Sequence, residues 1–200
     1  TTLGNRTGTT LWTPTQLASV ATITIATLNV RHKLLAEGGA LLRTLIGQMT
    51  EHGIHALAIT ESGAKSHKNV DRIILDTNPQ YKAFTAHTNS TTKGTILLLG
   101  PKLARHALGT NFHYYCDGRL AHLALYLNAA TVLNLLVLYC PAKSNEQTYE
   151  EHRSIKEQLT RILEKINTDT TRTHHLVCAG DVNDIADELD TTNPARTPKV

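Results

Sequence analysis

The stretch His174-His175-Leu176-Val177-Cys178-Ala179-Gly180-Asp181-Val182-Asn183-Asp184 decides how the chain is read. Its apolar run predicts a buried strand that stops at a turn, because Gly180 punctuates it. The tip of that strand carries a carboxylate, Asp181, and an amide, Asn183. Taken alone, Gly-Asp-x-Asn after a strand is a common turn. It becomes informative only if other strands bring polar groups to the same edge.

Three upstream strands are expected to do so. Thr22-Ile23-Thr24-Ile25-Ala26-Thr27-Leu28-Asn29 alternates apolar and Thr at period two, a strand signal that ends on Asn29. Leu34, Leu35, Leu41, Leu42, Leu45, Ile46 and Met49 then recur at helical spacing, and Gly53 closes that helix. Ile54–Ile59 follows as a short buried strand that ends at Thr60-Glu61-Ser62. A strand, a helix and a strand in this order predict parallel strands, with Asn29 and Glu61 on one edge. Tyr139 with Pro141 ends the third strand, Val132–Tyr139.

Between these lie a polar segment, 63–79, with a helical turn expected around Val70–Leu75, and a run of short strands. The strands are Tyr81–Thr85, Thr95–Leu99, Arg105–Tyr115 and Leu120–Leu127, broken at Thr92-Lys93-Gly94, Gly100-Pro101, Asp117-Gly118 and Asn128. They read as an antiparallel meander. Ser144-Asn145-Glu146-Gln147 has capping-box form. Behind it Tyr149, His152, Ile155, Leu159, Ile162, Leu163 and Ile166 predict a helix of about five turns with one apolar face. Residues 1–20 read as a polar leader and 185–200 as a tail without core, leaving one domain over 21–184. The few helices cannot cover both faces of a single sheet. Two packed sheets with helices outside use every apolar face.

Composition agrees with a globular chain. Of 200 residues, 40% are hydrophobic and 18% charged, which excludes a disordered class. Aromatics are only 4%, so the core must be aliphatic. A net charge of +3 does not by itself announce nucleic acid. No apolar run reaches a membrane span. Cys116, Cys140 and Cys178 show no paired spacing and sit in or beside apolar runs, which predicts reduced, buried thiols in an intracellular protein. Thr92-Lys93-Gly94-Thr95 is not a P-loop, since the first glycine and the following helix are absent.

Carboxylates at strand termini can hold Mg²⁺ or Mn²⁺, which take oxygen ligands and keep several waters. A second carboxylate can orient or deprotonate water, and an amide can hold a phosphate oxygen. That is a kit for metal-assisted attack on phosphorus. At this point residues 22–184 resemble the endonuclease/exonuclease/phosphatase superfamily. Leu28-Asn29-Val30-Arg31 and Ile59-Thr60-Glu61-Ser62 look like its first two motifs; Gly94-Thr95-Ile96 and Gly118-Arg119-Leu120 fit its middle strands. Tyr139-Cys140-Pro141 resembles its Tyr-x-Pro segment and Gly180-Asp181-Val182-Asn183 its Gly-Asp-aromatic-Asn segment.

The resemblance implies an α+β fold, a four-layer α/β/β/α sandwich of two mixed β-sheets. It implies that Glu61 ligates Mg²⁺ (Mn²⁺ being possible) with Asn29 beside the metal. Asp181 would activate water, Asn183 would bind the scissile phosphate, and Tyr139 would contact phosphate. Arg119, Lys65 and Lys68 are candidate substrate contacts, although Arg119 also reads as a structural partner of a carboxylate and the lysines as solvated surface charge. Leu28 and Val182 stand where the family has aromatics; both are apolar and read as packing changes.

The family's late Asp-His pair has no counterpart, since no His follows His175. The expectation is a C-terminally truncated chain lacking its last strands, with little activity and marginal solubility as it stands. The style of the motifs is most like the endonuclease domain of a non-LTR retrotransposon. That implies a DNA-nicking, nuclear enzyme with a reverse transcriptase domain downstream. A phosphatase on a soluble phosphoester and a catalytically dead binding scaffold remain the alternatives.

Overall fold

Strand ends, rather than helices, set the shape of the site, so the two sheets come first. The structure, a computed structural model, describes residues 10–12 (backbone only), 22–88, 93–142 and 146–183. One sheet holds β1 (Thr10–Trp12), β2 (Ile23–Asn29), β3 (Ala56–Thr60), β4 (Lys82–Ala86) and β5 (Thr95–Leu99), in the spatial order β1-β2-β3-β5-β4. The other holds β6 (Phe112–Tyr115), β7 (Leu120–Asn128), β8 (Thr131–Tyr139) and β9 (Thr173–Asp181), side by side in chain order. β2 and β3 pair in parallel, as do β8 and β9; every other pairing is antiparallel. Both sheets are therefore mixed.

The period-two alternation of a strand sorts its side chains into layers. Ala56 and Ala58 of β3, Leu97 and Leu99 of β5, and Leu133, Leu135 and Val137 of β8 face the space between the sheets and form the central core. Their neighbours face outward. Leu57, Ile59, Ile96 and Leu98 pack under α1 (Ala40–Glu51) and α2 (His67–Thr77), through Leu42, Leu45, Ile46, Met49, Val70, Ile73 and Ile74. Leu120, Leu136 and Leu138 pack under Ile155 and Ile162 of α4 (Glu146–Thr168). Burying one such side chain is worth about 1.5–3 kcal/mol. The result is the expected α/β/β/α sandwich. A short α3 (Pro101–Ala104) follows β5, and its Leu103 and Ala104 join the central core.

Several local expectations change. The leader is not wholly unstructured, because Thr10–Trp12 pairs antiparallel with β2 and covers an edge that would otherwise be open. The rest of 1–21, Ser144 of the expected capping box, and 184–200 lie outside the described residues. The first helix starts later than its leucines imply. Gly38 and Gly39 take positive φ (66° and 88°), break the run after a short 3-10 turn, and leave Leu34 buried in a loop. The helical turn near Val70 is a full helix, α2, whose Ser66 side chain caps the backbone N–H of Lys68 at 3.2 Å.

The meander is divided. β4 and β5 form a hairpin in the first sheet, and only β6, β7 and β8 make a meander in the second. Of the strand expected over 105–115, only Phe112–Tyr115 pairs, because the chain leaves α3 through a turn at Arg105-His106 and then makes a 3-10 turn at Gly109–Asn111. The strand that opened the reading is also less buried than its composition implies. β9 lies at the edge of its sheet, with Leu176 44% exposed and Cys178 exposed, so the three thiols are not uniformly interior. Among the described residues no helix is long and apolar enough to cross a membrane.

Candidate active site

β2 and β3 run parallel, so Asn29 and Glu61 leave the first sheet at one edge. β8 and β9 run parallel with Tyr139 opposite Asp181, so these two leave the second sheet together. β2 packs against β9 across the sandwich, which brings the two edges into one place. The Asn29 amide then joins them. Its Nδ2 donates to Glu61 Oε1 at 2.9 Å and to Asp181 Oδ2 at 2.8 Å. Asn29 Oδ1 accepts the Arg31 backbone N–H at 3.0 Å, so the amide cannot be turned over without losing all three bonds.

Each partner is fixed by its own backbone. Glu61 follows β3 in a left-handed conformation, φ 51°, which takes its side chain out of the strand's alternation. Its carbonyl accepts the His32 N–H at 2.8 Å, and the next residue, Ser62, donates to Gly94 at 3.0 Å. A non-glycine residue held at positive φ is strained, and such strain concentrates at functional sites. His32 Nε2 stands 3.5 Å from Glu61 Oε2. Asp181 is held from both sides, since its Oδ1 also accepts the Asn183 N–H at 3.2 Å. The glycine before it is obligatory: Gly180 has φ 147°, and a Cβ there would run into the Leu138 carbonyl oxygen. Asn183 donates Nδ2 to the Cys140 carbonyl at 2.9 Å, tying the last motif to the chain just after Tyr139.

Tyr139 is buried to 9% exposure. Burial first, then the hydrogen bond and charge of Glu61, push its phenol above the usual tyrosine value, while Arg119 works in the opposite sense. The phenol therefore stays protonated at neutral pH and serves as a donor. The Arg119 guanidinium carbon lies 4.9 Å from the centre of the Tyr139 ring. Arg119 is only 6% exposed, and its Nη2 donates to Glu151 Oε2 of α4 at 2.8 Å. Glu151 Oε1 also takes Lys93 Nζ at 3.0 Å, and Lys93 reaches Asp117 at 3.2 Å. As placed, Arg119 backs the Tyr139 ring and does not face solvent.

Five of the candidate residues thus meet: Asn29, Glu61, Tyr139, Asp181 and Asn183. Arg119 stands behind them. Lys65 and Lys68 are exposed, in the loop after Glu61 and in the first turn of α2, and among the described residues no hydrogen bond or ion pair links either to the carboxylates. Leu28 and Val182, 38% and 49% exposed, flank the site in solvent instead of packing in the core.

Glu151 and Lys93 were not singled out from the sequence. The signal was present for Glu151, which lies four residues before Ile155 on the buried stripe of α4, where a charge needs a partner.

Among the described residues no group of three or more His, Cys, Asp or Glu could enclose a metal. The donors present are two carboxylates spaced by an amide, Glu61 being partly open to solvent with its side chain 16% exposed. That set suits a hard cation held by one or two carboxylates and several waters, the manner of Mg²⁺, better than a closed nitrogen–sulfur cage.

No family model matches the chain, and no curated protein sequence matches it. Solved structures do. The chain is similar to an AP endonuclease from Leishmania major (14% identity, TM-score 0.58, covering 78% of this chain and 54% of that one). It is similar to a 3′ phosphatase from Neisseria bound to product DNA hairpin (11% identity, TM-score 0.60, 86% and 62%). It is also similar to an AP endonuclease from Archaeoglobus fulgidus (15% identity, TM-score 0.53, 86% and 62%). The chain spans between 54% and 62% of the length of these three structures. What it shares with them is the two-sheet sandwich with helices outside.

Proposed function

We propose that this chain carries the carboxylate and phosphate-binding side of a divalent-metal-dependent phosphodiester hydrolase that nicks DNA. The observation that carries the reading is the Asn29 amide bridging Glu61 and Asp181 at the meeting of four strand ends, with Tyr139 beside them. The DNA reading draws support from the neighbours described as AP endonucleases and as a 3′ phosphatase bound to DNA.

In this reading Glu61, with Asn29 beside it, would hold Mg²⁺ (or Mn²⁺ in its place), which when bound would supply charge stabilisation at the phosphate. Asp181, fixed through both carboxylate oxygens, orients a water in line with the scissile bond and takes its proton. Tyr139, whose phenolic hydrogen bonds Glu61 in this structure, would turn that hydrogen to a phosphate oxygen once Glu61 is engaged, and Arg119 holds the ring in place from behind. Asn183 lies two residues after Asp181 with one Nδ2 hydrogen on the Cys140 carbonyl, and its second would meet the phosphate as negative charge grows. The products are a 3′-hydroxyl and a 5′-phosphate. The biological setting that fits is the endonuclease domain of a retrotransposon polyprotein, acting in the nucleus with a reverse transcriptase domain after it.

The test is nicking of supercoiled plasmid by protein expressed from the uninterrupted reading frame, with and without Mg²⁺. Mg²⁺-dependent nicking that falls by orders of magnitude in Asp181→Asn, with an unchanged circular dichroism spectrum, supports the reading. Turnover of a small phosphoester without nicking sinks the DNA assignment, and near-normal nicking by Asp181→Asn removes the role given to Asp181.

A further inference from the structure

The chain has only two Phe, six Tyr and one Trp, yet five rings form one continuous string at one side of the sandwich. Phe84 of β4 lies 5.3 Å from Phe112 of β6, Phe112 lies 6.0 Å from Tyr114, Tyr114 lies 5.3 Å from His87, and His87 lies 5.6 Å from His67. The two ends differ. Phe84 and Phe112 pack against the central core and are explained by it. Tyr114 is 43% exposed and His67 is exposed, so core packing does not account for that end. His87 has Nδ1 buried without a hydrogen-bond partner among the described residues, so this nitrogen is not what orients its ring.

The open end lies at the catalytic edge. β4 runs parallel to β3 by way of β5, so His87, just past the end of β4, leaves the sheet on the side of Glu61. β6 runs in the same direction as β8 by way of β7, and Tyr114, in register with Ala121 and through it Val137, lies two positions before the Tyr139 end. The link to the site is short. A Cβ on Gly118 would stand 2.7 Å from the His87 carbonyl oxygen, and the next residue is Arg119, which backs Tyr139. Lys65 and Lys68 flank His67, with one acid, Asp71, a turn further along α2, and the Asp117 carboxylate is already paired with Lys93.

We propose that His67, His87 and Tyr114 form a stacking platform for an unpaired base of the DNA strand whose phosphate lies at Asn29, Glu61 and Asp181. The inference rests on the DNA reading above and adds a substrate preference to it. A ring face exposed beside lysines takes a base whose own face is free, whereas an internal base pair of a duplex has none to offer. The preferred substrate therefore has a flap, gap or frayed end on this side of the cleavage point.

The experiment uses Asp181→Asn protein, so that DNA stays intact, and a gapped oligonucleotide carrying 2-aminopurine as its unpaired base. Fluorescence anisotropy reads affinity, and 2-aminopurine quenching reads stacking. The platform predicts quenching on binding, affinity about tenfold weaker with quenching lost on adding Tyr114→Ala, and both retained with Tyr114→Phe. Circular dichroism at the assay temperature checks that Tyr114→Ala is folded despite losing the ring contacts to Phe112 and His87. Equal affinity and quenching in Tyr114→Ala overturn the platform and leave the DNA reading standing. Failure of the parent protein to bind any DNA overturns both.

Discussion

Replacing Asn29 by Ala removes one side chain and should unsettle two strand ends in different sheets. In the folded chain its Nδ2 stands within 2.9 Å of a carboxylate oxygen of both Glu61 and Asp181, so these oxygens lie within about 6 Å of each other. Two hydrogen bonds to charged acceptors set an upper bound of about 3–6 kcal/mol on the loss. Water reaches the partly exposed carboxylates and replaces much of what the amide gave, which leaves about 2 kcal/mol. For a chain of 200 residues that corresponds to a fall in Tm of about 4–8 °C. Asn29→Asp should cost more, since it sets a third carboxylate between the other two. Added salt should narrow the deficit of both variants by screening that repulsion. Thermal unfolding followed by circular dichroism, in EDTA, measures all of this. If both variants melt with the wild-type chain, the amide does not hold the carboxylates together and the reasoning fails.

Other outcomes follow from the same geometry. Tyr139 should ionise above the usual tyrosine range, read as the ultraviolet titration of the wild-type chain minus that of Tyr139→Phe; Glu61→Gln should bring the midpoint down, because Glu61 supplies part of the upward shift. With the folded value raised, Tyr139 contributes stability that is fully present below about pH 10 and lost as pH rises through the folded value. Glu151→Ala leaves the buried Arg119 without its carboxylate, and a denaturant melt should show a loss of about 2–3 kcal/mol, less than for a fully buried pair because Glu151 is partly wet. Gly180→Ala should prevent the β8–β9 pairing around Asp181, read as the loss of hydrogen-exchange protection at the Cys140 amide, which bonds to the Asp181 carbonyl at 2.9 Å.

The strands that carry the site were legible because each has a local signature. β2 alternates, β3 and β8 are short apolar runs, and each meets a polar residue at its end. The last long helix was legible by spacing, and so was the need for two sheets, whereas α2 showed only as a turn and α3 not at all. What stayed hidden depends on which strands are neighbours. The run from Tyr81 to Tyr139 has the texture of one meander, and nothing local says that its first hairpin belongs to the other sheet. The same division hid the ring string, whose members at 67, 87 and 114 become neighbours only once β4 and β6 lie on one side. Glu151 stayed hidden because a single acid on a polar helix looks solvated until Arg119 is placed beneath it. The exposure of β9 could not be read either, since apolar composition alone cannot separate a central strand from an edge.

The central claim is that Glu61, with Asn29 beside it, makes a divalent-cation site next to Asp181, and Mn²⁺ binding tests it without requiring turnover. Electron paramagnetic resonance of Mn²⁺ titrated with the 200-residue chain should show one bound ion, lost in Glu61→Gln, weakened in Asn29→Ala and displaced by excess Mg²⁺. Absence of bound Mn²⁺, or binding that Glu61→Gln leaves unchanged, would contradict the account.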